Sequence, residues 1–95
     1  MKLNEHERES LALFDRPWTE VHQWLDEFAG KPGIGMRHRR FRHHKAGVRE
    51  VEKLFGEEGA LAARLHVISD LKQEGWQENQ RFPEDEEDFV RMGFF

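Results

Sequence analysis

A chain of 95 residues with 36% charged and 37% hydrophobic side chains is one polar domain, and the absence of cysteine excludes disulfides and thiolate metal sites. The formal net charge of −4 hides an asymmetry: Lys31 to Arg49 holds seven Lys/Arg and no Asp or Glu, whereas the rest holds eight basic and nineteen acidic residues. A basic segment on an otherwise acidic protein argues against duplex DNA, because the remainder repels phosphate, and no apolar run is long enough to span a bilayer.

The expected organisation is a single helical domain over residues 1–95, with 1–15 as a peripheral helix. Asn4 followed by Glu7 predicts a reciprocally capped helix start and a first helix from about Glu5 to Phe14. Met1 to Ser10 lacks the apolar stretch of a signal peptide, so the expected location is the cytoplasm. Pro17 suits a first helical position, and Trp18, Val21, Leu25 and Phe28 share one face of a second helix that Gly30 ends. Residues 31–35 read as a flexible loop. A third helix is predicted from about Met36 to Phe55, closed by Gly56, with Phe41, Val48, Val51 and Phe55 inward. A fourth runs from about Ala60 to Gln73 with Leu61, Leu65, Ile68 and Leu71 inward, and Phe82-Pro83 starts a short last helix with an acidic first turn. No segment alternates as a strand does. The fold class is therefore all-α, a compact domain of four or five helices. Eight Phe and three Trp supply large burial per residue, with self-association as an added source of stability.

The unusual chemistry is the block from Arg37 to Lys45. On the third helix Arg37 and His44 fall on the apolar stripe and Arg40 at its edge, while Arg39, Arg42 and Arg49 point toward solvent. Cations on a core-facing stripe need partners. Backbone N–H groups at the start of a helix after a glycine loop favour an anion, which would also relieve the repulsion between basic side chains and the helix dipole. Phosphate fits, since Arg offers forked donors. The expected ligand set is Arg37, Arg40, His43 and His44, with Trp24 as a stacking platform and Trp18 or Trp76 as alternatives.

The six histidines carry a second reading. His66 and Asp70 are four apart and share a helical face with Ala62 and Ala63, away from Leu61, Leu65 and Ile68. His22, His44, His66 and Asp70, brought together from several helices, would bind zinc, manganese or iron, although no H-E-x-x-H spacing is present. Ser10, Thr19 and Ser69 are the only hydroxyls, and none sits in a nucleophile setting, so hydrolysis would need a metal-activated water.

The order His22-x-Trp24, Arg37-His38-Arg39-x-x-Arg42-His43-His44, Phe55-Gly56, His66-Val67-x-x-Asp70-Leu71 resembles the pattern of an uncharacterised family of small bacterial and phage-borne proteins. The resemblance covers most of the chain from Pro17 onward, and Phe82-Pro83 and Phe89 fit an aromatic- or Pro-containing tail. It implies no substrate. It does imply that His22, His38, His43, His44, His66 and Asp70 are the positions of interest.

The leading expectation is non-catalytic capture of a small phosphorylated ligand such as a nucleotide, without a cofactor. A divalent-metal phosphohydrolase is the first alternative, and a structural or oligomerisation module the second.

Overall fold

A computed structural model describes the backbone of residues 3–94 and the side chains of that span other than those of 3, 35 and 36. The termini of the expected 1–95 domain, Met1, Lys2 and Phe95, lie outside the described residues. The order of elements is α1 (Leu3–Phe14), α2 (Thr19–Leu25), a 3-10 turn (Gly35–His38), α3 (Arg39–Arg42), α4 (Lys45–Gln73) and α5 (Glu86–Arg91), with no strand among the described residues. The all-α class and the number of helices agree with the sequence reading.

Helices α1, α2 and α4 pack on one another, and α3 bridges α4 and α5. The core joins Trp18, Val21 and Leu25 of the α2 region to Val51, Ala62, Ala63, Val67 and Leu71 of α4, and to Trp76, Phe82 and Phe89 of the C-terminal segment. Gly59 makes room for Trp18: a Cβ there would stand 3.2 Å from the indole. No helix is long and apolar enough to cross a membrane among the described residues.

The expected boundaries shift in several places, among them the end of the second helix, at Leu25 and not Gly30, and the start of the last, at Glu86 and not Phe82-Pro83. Asn4 lies inside α1, and Glu7 accepts a hydrogen bond from Thr19 Oγ1 (2.7 Å), tying α1 to α2 instead of capping its own helix. Trp18 is left-handed (φ 52°), which delays α2 to Thr19. The single helix expected from Met36 to Phe55 breaks at His43-His44, where His44 is extended (φ −160°, ψ 177°). Beyond it, α4 runs through the expected third and fourth helices with a kink at Gly56 (φ 87°), where a left-handed backbone suits glycine.

Two apolar assignments are corrected. Leu61, expected inward, is 55% exposed, and Phe41 is also exposed. The inward face of distal α4 is the one carrying Ala62, Ala63, His66, Val67 and Asp70. Small side chains let α2 approach this face closely, and the polar groups on it find partners in the interior.

Candidate metal centre

Four helices each send an i, i+4 polar pair into the same space: His6 and Ser10 from α1, His22 with Asp26 from α2 and its C-cap, Arg39 with His43 from α3 and its C-cap, His66 and Asp70 from α4. His6, Ser10, His22, His43, His66 and Asp70 are all buried. Charged or polar groups are buried together only when they satisfy one another or hold an ion.

The centre of the group is compact. His43 Nε2 lies 2.9 Å from Asp70 Oδ2 and 3.5 Å from Asp26 Oδ1. His66 Nε2 lies 3.3 Å from the same Asp70 oxygen and 3.4 Å from the same Asp26 oxygen. Four ligands about 2.1 Å from one ion at tetrahedral corners stand about 3.4 Å apart. Three of these edges match that spacing, the fourth is the 2.9 Å hydrogen bond between His43 and Asp70 that an ion would replace, and all four atoms lie within 4.8 Å of one another. His66 Nε2 and Asp26 Oδ1 are buried and form no well-aimed hydrogen bond despite facing each other.

His6, His22 and His66 form a second close group. The His6 and His66 rings stack face to face, 3.6 Å between centroids and 14° between planes, and His22 and His66 are near parallel at 18°. Imidazole lone pairs lie in the ring plane, so stacked rings do not converge on one ion as edge-on rings do. The His43 and His66 rings are inclined at 66°, and their Nε2 atoms face the same two carboxylate oxygens. The group that could hold an ion is therefore Asp26, His43, His66 and Asp70.

The surrounding residues orient that set. His66 Nδ1 shares a hydrogen bond with His22 Nδ1 (2.9 Å), and His22 Nε2 shares one with Ser10 Oγ (2.7 Å). An ion on His66 Nε2 would leave the ring proton on Nδ1, with His22 as the partner that orients it. His6 Nε2 and Arg39 Nη2 stand 3.2 and 3.5 Å from Asp70 Oδ1, and Arg39 Nη1 donates to Glu74 Oε2 (3.1 Å). His38 Nε2 stands 3.5 Å from Asp26 Oδ1 on the more open side.

Protonation follows from burial and charge. Burial pushes His43 down to about 4 against the pull of Asp70, and pushes His22 down to about 4 with help from His66 and His6. Burial opposes the charge of His66 as well, but Asp26 and Asp70 outweigh it and raise the pKa. Burial opposes both carboxylates too. His38 and His66 beside it hold Asp26 well below the usual carboxylate range, and His43, His6 and His66 do the same for Asp70. The centre thus pairs two carboxylates with one favoured imidazolium and neutral imidazoles, an electrostatic setting suited to a cation.

The residues expected to hold an anion sit in different surroundings. Arg37 is exposed on the 3-10 turn. The carbonyl of Arg40 accepts a hydrogen bond from His44 Nε2 (3.1 Å). His44 caps α4, accepting from Gly47 N–H at Nδ1 (3.2 Å), and burial lowers its pKa; it stands apart from His22, His66 and Asp70. The first N–H groups of α4 are taken: Lys45 bonds to the Pro83 carbonyl and Ala46 to that of Glu84. Trp24 is covered by the Arg42 guanidinium, 4.0 Å from its ring, while Trp18 bonds to Glu58 and Trp76 to the Arg81 carbonyl. Arg39 and Arg42, expected in solvent, are partnered; Arg42 donates to the Trp24 carbonyl and Glu27.

Sequence reasoning singled out His22, His43, His66 and Asp70 and missed His6, Ser10, Asp26 and Arg39 as neighbours of one site. The signal available was the repeated i, i+4 spacing of polar pairs on four helices.

No curated protein and no solved structure matches the chain. A family model covers residues 5–91, spanning every group of the centre. The chain belongs to the family described as domain of unknown function DUF6915.

Proposed function

We propose that the protein is a divalent-metal protein whose ion is held by His43, His66, Asp70 and Asp26. One observation carries this reading: two imidazole nitrogens and two carboxylate oxygens stand 2.9 to 3.5 Å apart along four edges of a tetrahedron, and two of these atoms lack a well-aimed hydrogen bond. Mixed nitrogen and oxygen donors without sulfur suit zinc, manganese or iron(II). The Arg37–His44 and His66–Asp70 elements of the sequence pattern supply three of the four ligands and the Arg39 and His38 groups beside them. Capture of a free phosphorylated ligand by Arg37, Arg40, His43 and His44 is the weaker reading, because His43 pairs with Asp70, His44 caps α4, and the start of α4 has no free N–H at Lys45 or Ala46.

The test is elemental analysis of the purified chain, followed by titration of the metal-free form with zinc, manganese and iron(II) against a chromophoric chelator. One equivalent is expected, and Asp70→Asn or His66→Gln should abolish tight binding. Wild-type protein that takes up none of the three ions would overturn the reading.

A further inference from the structure

Distal α4 has a second face. Ala62, His66 and Asp70 are buried in the interior, and Leu61, Leu65 and Ile68 lie on the opposite side of the helix. With Leu13 and Phe14 of α1 and with Arg64 they line an open groove of about 460 Å³. Its rims are apolar: Leu61 is 55% and Leu13 60% exposed. The first helix shows the same inversion. Among its described side chains His6 and Ser10 are the buried ones, whereas Leu11 and Leu13 face solvent. A helix on the surface of a monomer ordinarily buries its leucines and exposes its polar groups. A clustered apolar patch of this kind marks an interaction face.

The charges on this face identify the occupant. Beyond the kink at Gly56, the side chains of Glu57, Leu61, Leu65, Ile68 and Lys72 fall within about 40° of one line down the helix, at about 100° per residue. The stripe is acidic at one end, basic at the other and apolar between. It is its own complement, because positions 57 and 72, 61 and 68, and 64 and 65 are paired about one midpoint. A second copy laid antiparallel across a two-fold axis there sets Leu61 against Ile68 and Glu57 against Lys72, each contact occurring twice. A parallel copy would bring like charges together. In the single chain Lys72 touches Glu78 (2.8 Å), a surface pair 48% and 79% exposed that leaves the ammonium with donors to spare. A small molecule fits less well. Clefts for such ligands carry several convergent polar groups, and the one polar side chain lining this groove, Arg64, is stacked over Phe82 at 5.0 Å.

We propose that this face is the interface of a homodimer, in which α4 packs antiparallel on α4 of a second copy and Leu13 of α1 covers the flank of the contact. The inference does not depend on the metal reading, since no residue of the groove belongs to the centre. The dimer supplies α1 with the apolar burial it lacks in the single chain. It thereby fastens the helix that brings His6 against His66 and Ser10 against His22.

The experiment is sedimentation equilibrium of the full chain as purified, from micromolar to millimolar concentration, where a monomer–dimer equilibrium is expected. Leu61→Glu and Leu13→Glu, both at exposed positions that a folded monomer tolerates, should each raise the dissociation constant about 10²-fold or more, because the substitution enters the interface twice. The helical circular dichroism of both should match wild type. Glu57→Lys and Lys72→Glu should each weaken the dimer about threefold to tenfold, whereas an equimolar mixture of the two should recover wild-type affinity, since both cross-pairs of the mixed dimer are again opposite in sign. Wild-type chain that stays monomeric at millimolar concentration overturns the proposal and leaves the face to a different partner. A dimer indifferent to both leucine variants also overturns it. A mixture no tighter than the variants alone overturns the antiparallel arrangement and the proposal with it.

Discussion

Gly47→Ala tests whether the helix break builds the centre. Helix propensity alone favours alanine by about 0.5–1 kcal/mol in a helix interior. The local geometry opposes it: a Cβ on Gly47 would stand 1.9 Å from the Arg42 carbonyl oxygen and 2.7 Å from its carbon. Both atoms are backbone, so no rotamer change relieves the clash. Reaching even a tight 3.0 Å contact requires a displacement of about 1.1 Å between the end of α3 and the first turn of α4. His43 follows Arg42 directly, and metal ligands tolerate about 0.2 Å. The variant should therefore lose about 10–100-fold or more in zinc affinity, the range for a disturbed metal-site support, and should unfold at a lower temperature than wild type even without metal. Chelator competition and thermal melts of the metal-free protein measure the two effects. Wild-type affinity together with an unchanged or higher melting temperature would refute the steric reasoning and return the position to simple helix propensity.

Further outcomes follow from the same geometry. Asp70→Asn should destabilise the metal-free fold by roughly 3–5 kcal/mol in urea unfolding, because it strips the buried carboxylate from Arg39 and the His66 imidazolium. Metal-free stability should peak near pH 6.5. His43, neutral when folded down to about 4, lets only the unfolded chain gain its proton between 6.5 and 4, which removes about 3 kcal/mol as pH falls through that window. His66, raised when folded, contributes stability fully present below 6.5 and lost as pH rises through its folded value. Bound metal replaces the His66 proton, so the decline above 6.5 should vanish in the loaded protein; a decline of equal size in both forms would contradict the assignment. His22→Leu should weaken metal binding about 10–100-fold, while His22→Asn, which keeps an acceptor near Nδ1, should recover much of it. His44→Ala should cost about 1 kcal/mol of stability as a lost cap, with metal affinity within threefold of wild type.

The helices were legible because Val21 and Leu25 in α2 and Val51, Val67 and Leu71 in α4 recur with the helical period. The break at His43-His44 was not, since its cause lies at a distance: the Pro83 and Glu84 carbonyls that receive the Lys45 and Ala46 N–H groups, and the close approach that only Gly47 permits. The site was half visible. Adjacent histidines in the sequence look alike, yet His43 enters the centre and His44 caps a helix, a distinction made by one extended residue. The face bearing His66 and Asp70 read as outward because hydrophobic patterning assigns polar residues to solvent. Here a mutually paired polar cluster occupies the interior, and Leu61 takes the exposed position. Asp26 was hidden for a related reason: it sits just past the end of α2, four residues after His22, where a carboxylate reads as an ordinary helix terminus.

The ligands are far apart along the chain: His43 and Asp70 are separated by 27 residues, and the His22–His66 contact that orients the centre by 44. An ion bound there is a reversible cross-link between segments that the unfolded chain keeps apart. A disulfide would persist in the unfolded chain and restrict it; in a chain that has no cysteine, an ion acts instead by binding the folded state. If the unfolded chain binds the ion negligibly, free ion at a hundred times its dissociation constant adds about 2.7 kcal/mol to folding, a large share of the stability of a domain this small. The urea midpoint should then climb with the logarithm of free metal concentration, and the amount of folded protein would follow the supply of the ion.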